Sequence, residues 1–288
     1  MKQVNAAQRH KLMTKLLATT KGRSRIASSM QEPLRRLRDF VSNGRKMLFV
    51  DELPDGTLPI YDKDIDTPAY VVGEEADSVA TVVKGERVLA PLFELASWPK
   101  VPFVQVKERR FDIVRRIKQK AKDELFRKED NLIMTAATTA ADANTTNTVI
   151  AETGADFDMT TIVEAFAKIE RHGLRVDKIY CNPNEFRVFR NAGRDYMDFE
   201  TQRELLRTGF MGSVYGAQIF TNVELTAGRM ILVTEPEYLG VIPVRIDLTV
   251  IPADDPGNRS FGWSIFENIG ILYHNADYGL QGITITYS

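Results

Sequence analysis

A chain of 288 residues, 43% of them hydrophobic, is long enough to bury one large core or two smaller ones. Its formal net charge of −1 excludes a polycation or an acidic tail protein, and its single cysteine, Cys181, excludes an intrachain disulfide and fits a reducing cytoplasm. No apolar run approaches the ~20 residues needed to span a membrane, and the opening MKQVNAAQRHKLMTKLL lacks the apolar core of a signal peptide.

Charge is unevenly spread. Residues 1–46 carry twelve bases against Glu32 and Asp39, a balance of +10. Residues 47–90 carry ten acids against Lys63, Lys84 and Arg87, a balance of −7. Neither stretch has enough large apolar residues to offset its own ordering entropy, so each is expected either to stay solvated or to order against neighbouring subunits. Short amphipathic helices are expected around Ala6–Leu17 and Pro33–Val41, with Pro33 suited to a first helical turn. LPDGT at Leu53–Thr57 signals a tight turn. The whole of 46–90 reads as a long two-stranded excursion with an acidic tip. LAPLFELASWPKVPFVQV then alternates loosely, as a strand leading onward.

FDIVRRIKQKAKDELFRKEDNLIM, Phe111–Met134, has no Gly and no Pro, and predicts a long helix. Its apolar positions are Phe111, Val114, Ile117, Ala121, Leu125, Leu132 and Ala136. They step by three or four residues, with one gap of seven, and trace a single narrow stripe. A helix in a globular core usually shows a broader apolar face. The following TAATTAADANTTNTVIAETG has no large apolar residue before Val149 and is expected to be a surface loop.

From Asp158 the texture changes to compact alternation. TIVEAFAKIERHG predicts a helix with a capping box from Thr161 to Glu164 and a stop at Gly173. VDKIYCNPNEFRVFR predicts a buried strand, then a helix capped by Asn182, with Pro183 and Glu185 in its first turn. A helix in DFETQRELLRTG precedes strands in VYGAQIFTNV and RMILVTE. The end of the chain reads as all β: two long strands joined at Asp255–Asn258, where Pro-Gly at the central positions predicts a type II turn, and a last strand GLQGITITY.

Residues that carry chemistry do not converge. His10, His172 and His274 have no ligand spacing. His172 sits where a cation favours the end of a helix, and Cys181 lies inside a buried strand. GFMGSVYGAQ leads into a strand, whereas phosphate loops open a helix, so Gly209, Gly212 and Gly216 read as turn residues. The carboxylates of Asp156–Asp158 suit a helix start as well as a metal. The sequence therefore gives no catalytic, cofactor or metal site.

In order, these pieces resemble the major capsid protein of tailed bacteriophages, with its Hong Kong 97-like fold. The likeness rests on KGERVLAPLFELASWPKVPFVQVKERRFDIVRRIKQKAKDELFRKEDNLIM, on IYCNPNEFRVFRNAGRDY, on GSVYGAQIFTNVEL, and on VRIDLTVIPADD followed by SIFENIGILYHNADYGLQGITI. It implies an α+β fold in four parts. These are an N-terminal arm (1–45), an E-loop (46–90), a P domain of spine helix and long strands (91–152 and 244–275), and an A domain (153–243 and 276–288). A thin P domain explains a spine helix with only a narrow apolar stripe.

The resemblance also implies pentamers and hexamers closing into an icosahedral virion head around double-stranded DNA, assembled in the host cytoplasm. The short stretch before the E-loop implies a separate scaffolding protein, beside a portal and a decoration protein, with no membrane partner. Some relatives crosslink their shells through lysine, but neither Lys63 nor Lys84 matches that pattern. The charge asymmetry makes Arg35, Arg36 and Arg38 of the arm, and Asp62, Asp64, Asp66, Glu74 and Glu75 of the excursion, the candidate contacts between subunits. An encapsulin-like compartment and a small α/β enzyme remain as alternatives.

Overall fold

The computed structural model describes residues 42–63, 85–102, 104, 113–154, 157–191 and 213–287. A 3-10 turn, Gly44–Met47, leads to strands β1 (Phe49–Glu52), β2 (Ile60–Asp62), β3 (Arg87–Leu89), β4 (Leu92–Ser97) and β5 (Lys100–Pro102). Helix α1 (Ile113–Ala143) follows, then β6 (Ile150–Gly154), α2 (Met159–Glu170), β7 (Val176–Cys181) and the short α3 (Arg187–Asn191). Next come β8 (Ser213–Val214), β9 (Ala217–Thr221), β10 (Arg229–Thr234), α4 (Pro236–Leu239), β11 (Gly240–Pro252) and β12 (Ser260–Gly270). The chain closes with β13 (Leu272–Tyr273), α5 (Ala276–Gly279) and β14 (Leu280–Tyr287).

One sheet has the order β1-β11-β12-β4, with β13 also pairing β11 and β5 also pairing β12. A second runs β6-β14-β10-β7-β9-β8, and β2 and β3 make a separate two-stranded ribbon. The chain divides into two compact units. The smaller contains residues 96–125 and 248–266 of the described chain, and the larger contains residues 42–95, 126–247 and 267–288.

In the larger unit the second sheet is buried on both faces, which explains why Met230–Val233 of β10 are continuously apolar. Side chains alternate along a strand. Met230 and Leu232 join Ile179, Cys181, Ile283 and Ile285 against the apolar face of α2, where Ile162, Phe166 and Ile169 are buried. Ile231 and Val233 point the other way, with Tyr180 and Leu280, into a cluster built on Ile133, Met134, Ala137 and Ala141 of α1. Each fully buried large side chain contributes about 1.5–3 kcal/mol.

Several sequence expectations are corrected here. The Thr/Ala-rich stretch after Met134 is helix, not loop, as far as Ala143. Small residues are what this part of α1 requires, because a Cβ built on Gly282 would stand 3.1 Å from the Ala141 Cβ. The hydroxyls of Thr138 and Thr139 donate to the carbonyls of Met134 and Thr135 at 2.8 and 2.9 Å, so the helix satisfies its own polar groups. Asn144 then ends it, its Oδ1 accepting from the Thr146 and Asn147 amides. The buried stripe also differs from the predicted one. Leu132 and Ala136 are half-buried, and Ile133, Met134 and Ala137 lie inside. The gap of seven is filled by Glu129 and Asp130, both fully buried.

Helix α2 begins earlier than its predicted capping box. Asp158 is the N-cap, accepting from the Thr160 amide at 3.2 Å and the Thr160 hydroxyl at 2.6 Å, which holds its carboxyl below the usual range. Gly173, at φ 77°, takes the left-handed position that stops the helix. His172 lies past the last helical turn, its ring 4.8 Å from that of Tyr278. Asn182 does turn the chain, accepting from the Asn184 amide at 3.0 Å, but α3 starts only at Arg187. Glu185 is drawn away from a capping role by the Gly228 amide at 2.7 Å. The expected helices at Ala6–Leu17, Pro33–Val41 and within DFETQRELLRTG lie outside the described residues.

In the smaller unit, β5 pairs β12 in register Val101 with Phe261. The Lys118 ammonium of α1 lies 4.4 Å from the centroid of the Trp263 ring. The loop between β11 and β12 is closed by mutual hydrogen bonds between Asp255 and Ser260. It is not the predicted type II turn. Gly257 is outside the left-handed region, and Arg259, at φ 49°, takes that conformation instead. Four residues separate the bridged pair, and Asp255 accepts from the Asn258 amide at 3.3 Å, so the Asp side chain organises the loop.

Candidate functional site

Among the described residues no group of His, Cys, Asp and Glu can hold a metal ion. Cys181 is fully buried and burial pushes its thiol up to about 12, which leaves it un-ionised and unreactive. The His172 ring lies tilted against that of Tyr278, and His274 is exposed, with desolvation and then the Lys63 charge lowering its pKa. His10 lies outside the described residues. What the structure does build is a set of anchors.

The first anchor holds residues 42–44. The Asp130 carboxylate, on α1 and without solvent exposure, accepts from the Ser42 hydroxyl at 2.7 Å, the Asn43 amide at 3.2 Å and the Gly44 amide at 3.1 Å. It also accepts from the Asn222 side-chain amide at 3.1 Å. Asn43 extends the network by donating to the Thr221 carbonyl at 3.0 Å and accepting from Asn222 at 2.8 Å. Its own carbonyl accepts from the Tyr180 hydroxyl at 3.2 Å. Gly44 is required here, because a Cβ would stand 2.6 Å from Asp130 Oδ1.

One residue further on, Arg45 reaches three carboxylates. Its Nε donates to Glu129 at 2.5 Å, one terminal nitrogen to Glu267 of β12 at 2.9 Å, and the other to Asp247 of β11 at 3.2 Å. Glu129 and Glu267 have no exposed side-chain surface, and Asp247 is largely exposed. Desolvation first, then the neighbouring Glu129 charge, pushes Glu267 up to about 7. Desolvation also raises Glu129, against the opposing pull of Arg45. The seven-residue gap in the α1 stripe, filled by adjacent acids, was the sequence signal for both anchors.

Within the larger unit the base of the excursion forms the β2–β3 ribbon, with Ile60 opposite Leu89, Tyr61 opposite Val88 and Asp62 opposite Arg87. The predicted contact residue Asp62 accepts from Arg87 Nε at 2.8 Å, with both side chains exposed. Tyr61 donates to Asp51 at 2.7 Å, which fastens the opposite face. Leu58, Ile60 and Leu89 are 65%, 46% and 60% exposed, so large apolar side chains stand in solvent at the base of the ribbon, beside the Asp62–Arg87 pair. An isolated two-stranded ribbon is marginal by itself. Arg35, Arg36, Arg38, Asp64, Asp66, Glu74 and Glu75 lie outside the described residues.

A third contact group lies in the smaller unit. Lys100 donates to Asp255 at 2.8 Å while its ammonium stands 3.8 Å from the centroid of the Trp98 ring. The Lys100 hydrogen bond, and then those from Asn258, hold the Asp255 carboxyl down at about 2. Trp98 is 57% exposed despite these contacts.

No protein-family model and no curated protein matches the chain. Solved structures do. The chain is similar to one from the mature capsid of bacteriophage PhiM1, with a TM-score of 0.68 at 11% identity, over 89% of this chain and 91% of that one. A structure from Mycobacterium phage Che8 gives 0.67 at 14% identity, covering 88% and 94%. The capsid of a native GTA particle gives 0.64 at 13%, covering 94% and 98%. The chain therefore has the α+β, Hong Kong 97-like capsid fold. Identity this low leaves the fold, and not any particular contact residue, as what is shared.

Proposed function

We propose that this chain is the major capsid protein of a tailed-phage-like particle, a structural subunit that self-assembles into an icosahedral head around double-stranded DNA. The observation that carries the reading is a capsid fold matched over about nine-tenths of both chains, not over one shared module. Residues 1–45 are then the arm, 46–90 the E-loop, 91–152 and 244–275 the P domain, and 153–243 with 276–288 the A domain. The exposed apolar side chains of Leu58, Ile60 and Leu89 at the base of the excursion support this reading, because cover by a neighbouring subunit would bury them.

Pentamers and hexamers are the expected rings, and a closed shell needs contacts of this repeated kind. A separate scaffolding protein, a portal and a decoration protein are the expected partners, with the virion as the location. The +10 arm and the −7 excursion are expected to meet across subunits through Arg35, Arg36 and Arg38 on one side and Asp62, Asp64, Asp66, Glu74 and Glu75 on the other. Exposed pairs contribute only ~0–1 kcal/mol each, so many repeats are needed. Light scattering of the purified chain across assembly conditions, with and without co-expressed scaffold, tests the reading. Large particles of one size support it. Monomers or small oligomers under every condition, or particles whose cargo is protein and not DNA, overturn it.

A further inference from the structure

The Arg45 cluster has more buried negative charge than its cation can neutralise. Glu129 and Glu267 are both fully enclosed, and among the described residues Arg45 is the cation that reaches them. One oxygen of each, Glu129 Oε2 and Glu267 Oε1, is buried with no hydrogen-bond partner. A buried carboxylate oxygen with no donor is costly, and two full negative charges facing one guanidinium leave a net charge inside. Protonating one of the two carboxyls removes that charge and turns one of the buried acid groups into a hydroxyl donor.

We propose that Arg45, Glu129 and Glu267 form a proton-gated tie, which fastens the 3-10 turn to α1 and to strands β11 and β12 when the glutamate pair holds one proton and loosens when the proton leaves. The groups that face the pair are Arg45 from the 3-10 turn, Asp130 beside Glu129 on α1, and Asp247 from β11. Of these only Arg45 favours ionisation. Asp247 and Asp130 add negative charge and so favour keeping the proton. Asp130 acts on Glu129, whereas Asp247 acts on both glutamates from a largely exposed position where solvent screens it.

The sign follows from linkage. Glu267 titrates at about 7 when folded, above its ordinary 4.5, so the folded chain binds the extra proton. Its contribution to stability is complete below the ordinary value and is lost as pH rises through about 7. This is the reverse of the usual surface carboxylate. The tie belongs to the folded chain itself and does not depend on the shell reading.

The test uses the full chain in two readouts. In thermal unfolding, the parent's midpoint should fall as pH rises from about 5 to about 8. Glu267→Gln, which imitates the protonated side chain, should lose most of that slope and exceed the parent at the upper end. A parent profile that is flat or rises over this range, or a Glu267→Gln profile with the parent's slope, overturns the proposal. Should Glu267→Gln fail to fold, the parent decides alone. With carbon-13-labelled glutamate, one side-chain carboxyl should titrate above about pH 6, and none doing so overturns the proposal.

Discussion

Replacing Asp130 with alanine removes the acceptor for four donors at once: the Ser42 hydroxyl, the Asn43 and Gly44 amides and the Asn222 side chain. Each buried donor left without a partner costs about 1–3 kcal/mol, and such costs are not additive when donors share a site. Ser42 and Asn43 are half-buried, so water will recover part of the loss at their end. Gly44 and Asn222 are buried and will not recover it so readily. The expected total is about 3–5 kcal/mol, similar to breaking a buried charged pair and a large part of a domain's whole stability. Denaturant unfolding of Asp130→Ala against the parent gives the total, and amide hydrogen exchange gives its location. Protection at Asn43 and Gly44 should fall by more than that of strand β10. A loss under about 1 kcal/mol with unchanged exchange at those two amides would refute the reasoning, because the network would then be incidental to how residues 42–44 are held.

Gly44→Ala should cost stability in the same assay, since its Cβ would meet Asp130 Oδ1 at 2.6 Å and Ile133 Cδ1 at 3.2 Å; a variant as stable as the parent would contradict that packing. Gly257→Ala should be neutral or stabilising by about 0.4–1 kcal/mol, because the position is not left-handed and the nearest atom to the new Cβ is 3.6 Å away; a clear loss would restore the type II turn. The Asp255 carboxyl should titrate at about 2 by NMR and return toward its ordinary value in Lys100→Met. A depressed carboxylate contributes stability that is present above its unfolded value and lost as pH falls through the folded one, so this pair weakens only in strong acid. Reversing Arg35, Arg36 and Arg38 to Glu should lower the yield and salt tolerance of DNA-free assembly; unchanged assembly would remove these three residues from the arm–excursion contact.

The elements whose physics is local were legible in the sequence. The periodicity of Phe111–Met134 gave a helix, and RMILVTE gave a strand, now β10. What failed depended on a partner distant in the chain. The stretch after Met134 looked too poor in apolar residues to be a helix, because the glycine beneath it, Gly282, lies over a hundred residues away. Glu129 and Asp130 break the apolar stripe and carry no local sign of being buried. Their donors come from Ser42 to Arg45 and from Asn222, which no spacing rule connects to them. The place of the loop at Asp255–Asn258 is legible in the sequence but its turn type is not, since the side chain of Asp255, and not the Pro-Gly pair, directs its backbone.

Electron microscopy of particles assembled from the purified chain tests the shell reading most directly. Closed icosahedral shells, with the fold described here repeated in pentamers and hexamers and the face of Leu58, Ile60 and Leu89 covered by a neighbouring subunit, are the predicted result. Open aggregates or discrete small oligomers that leave that face bare, with and without scaffold, would contradict it.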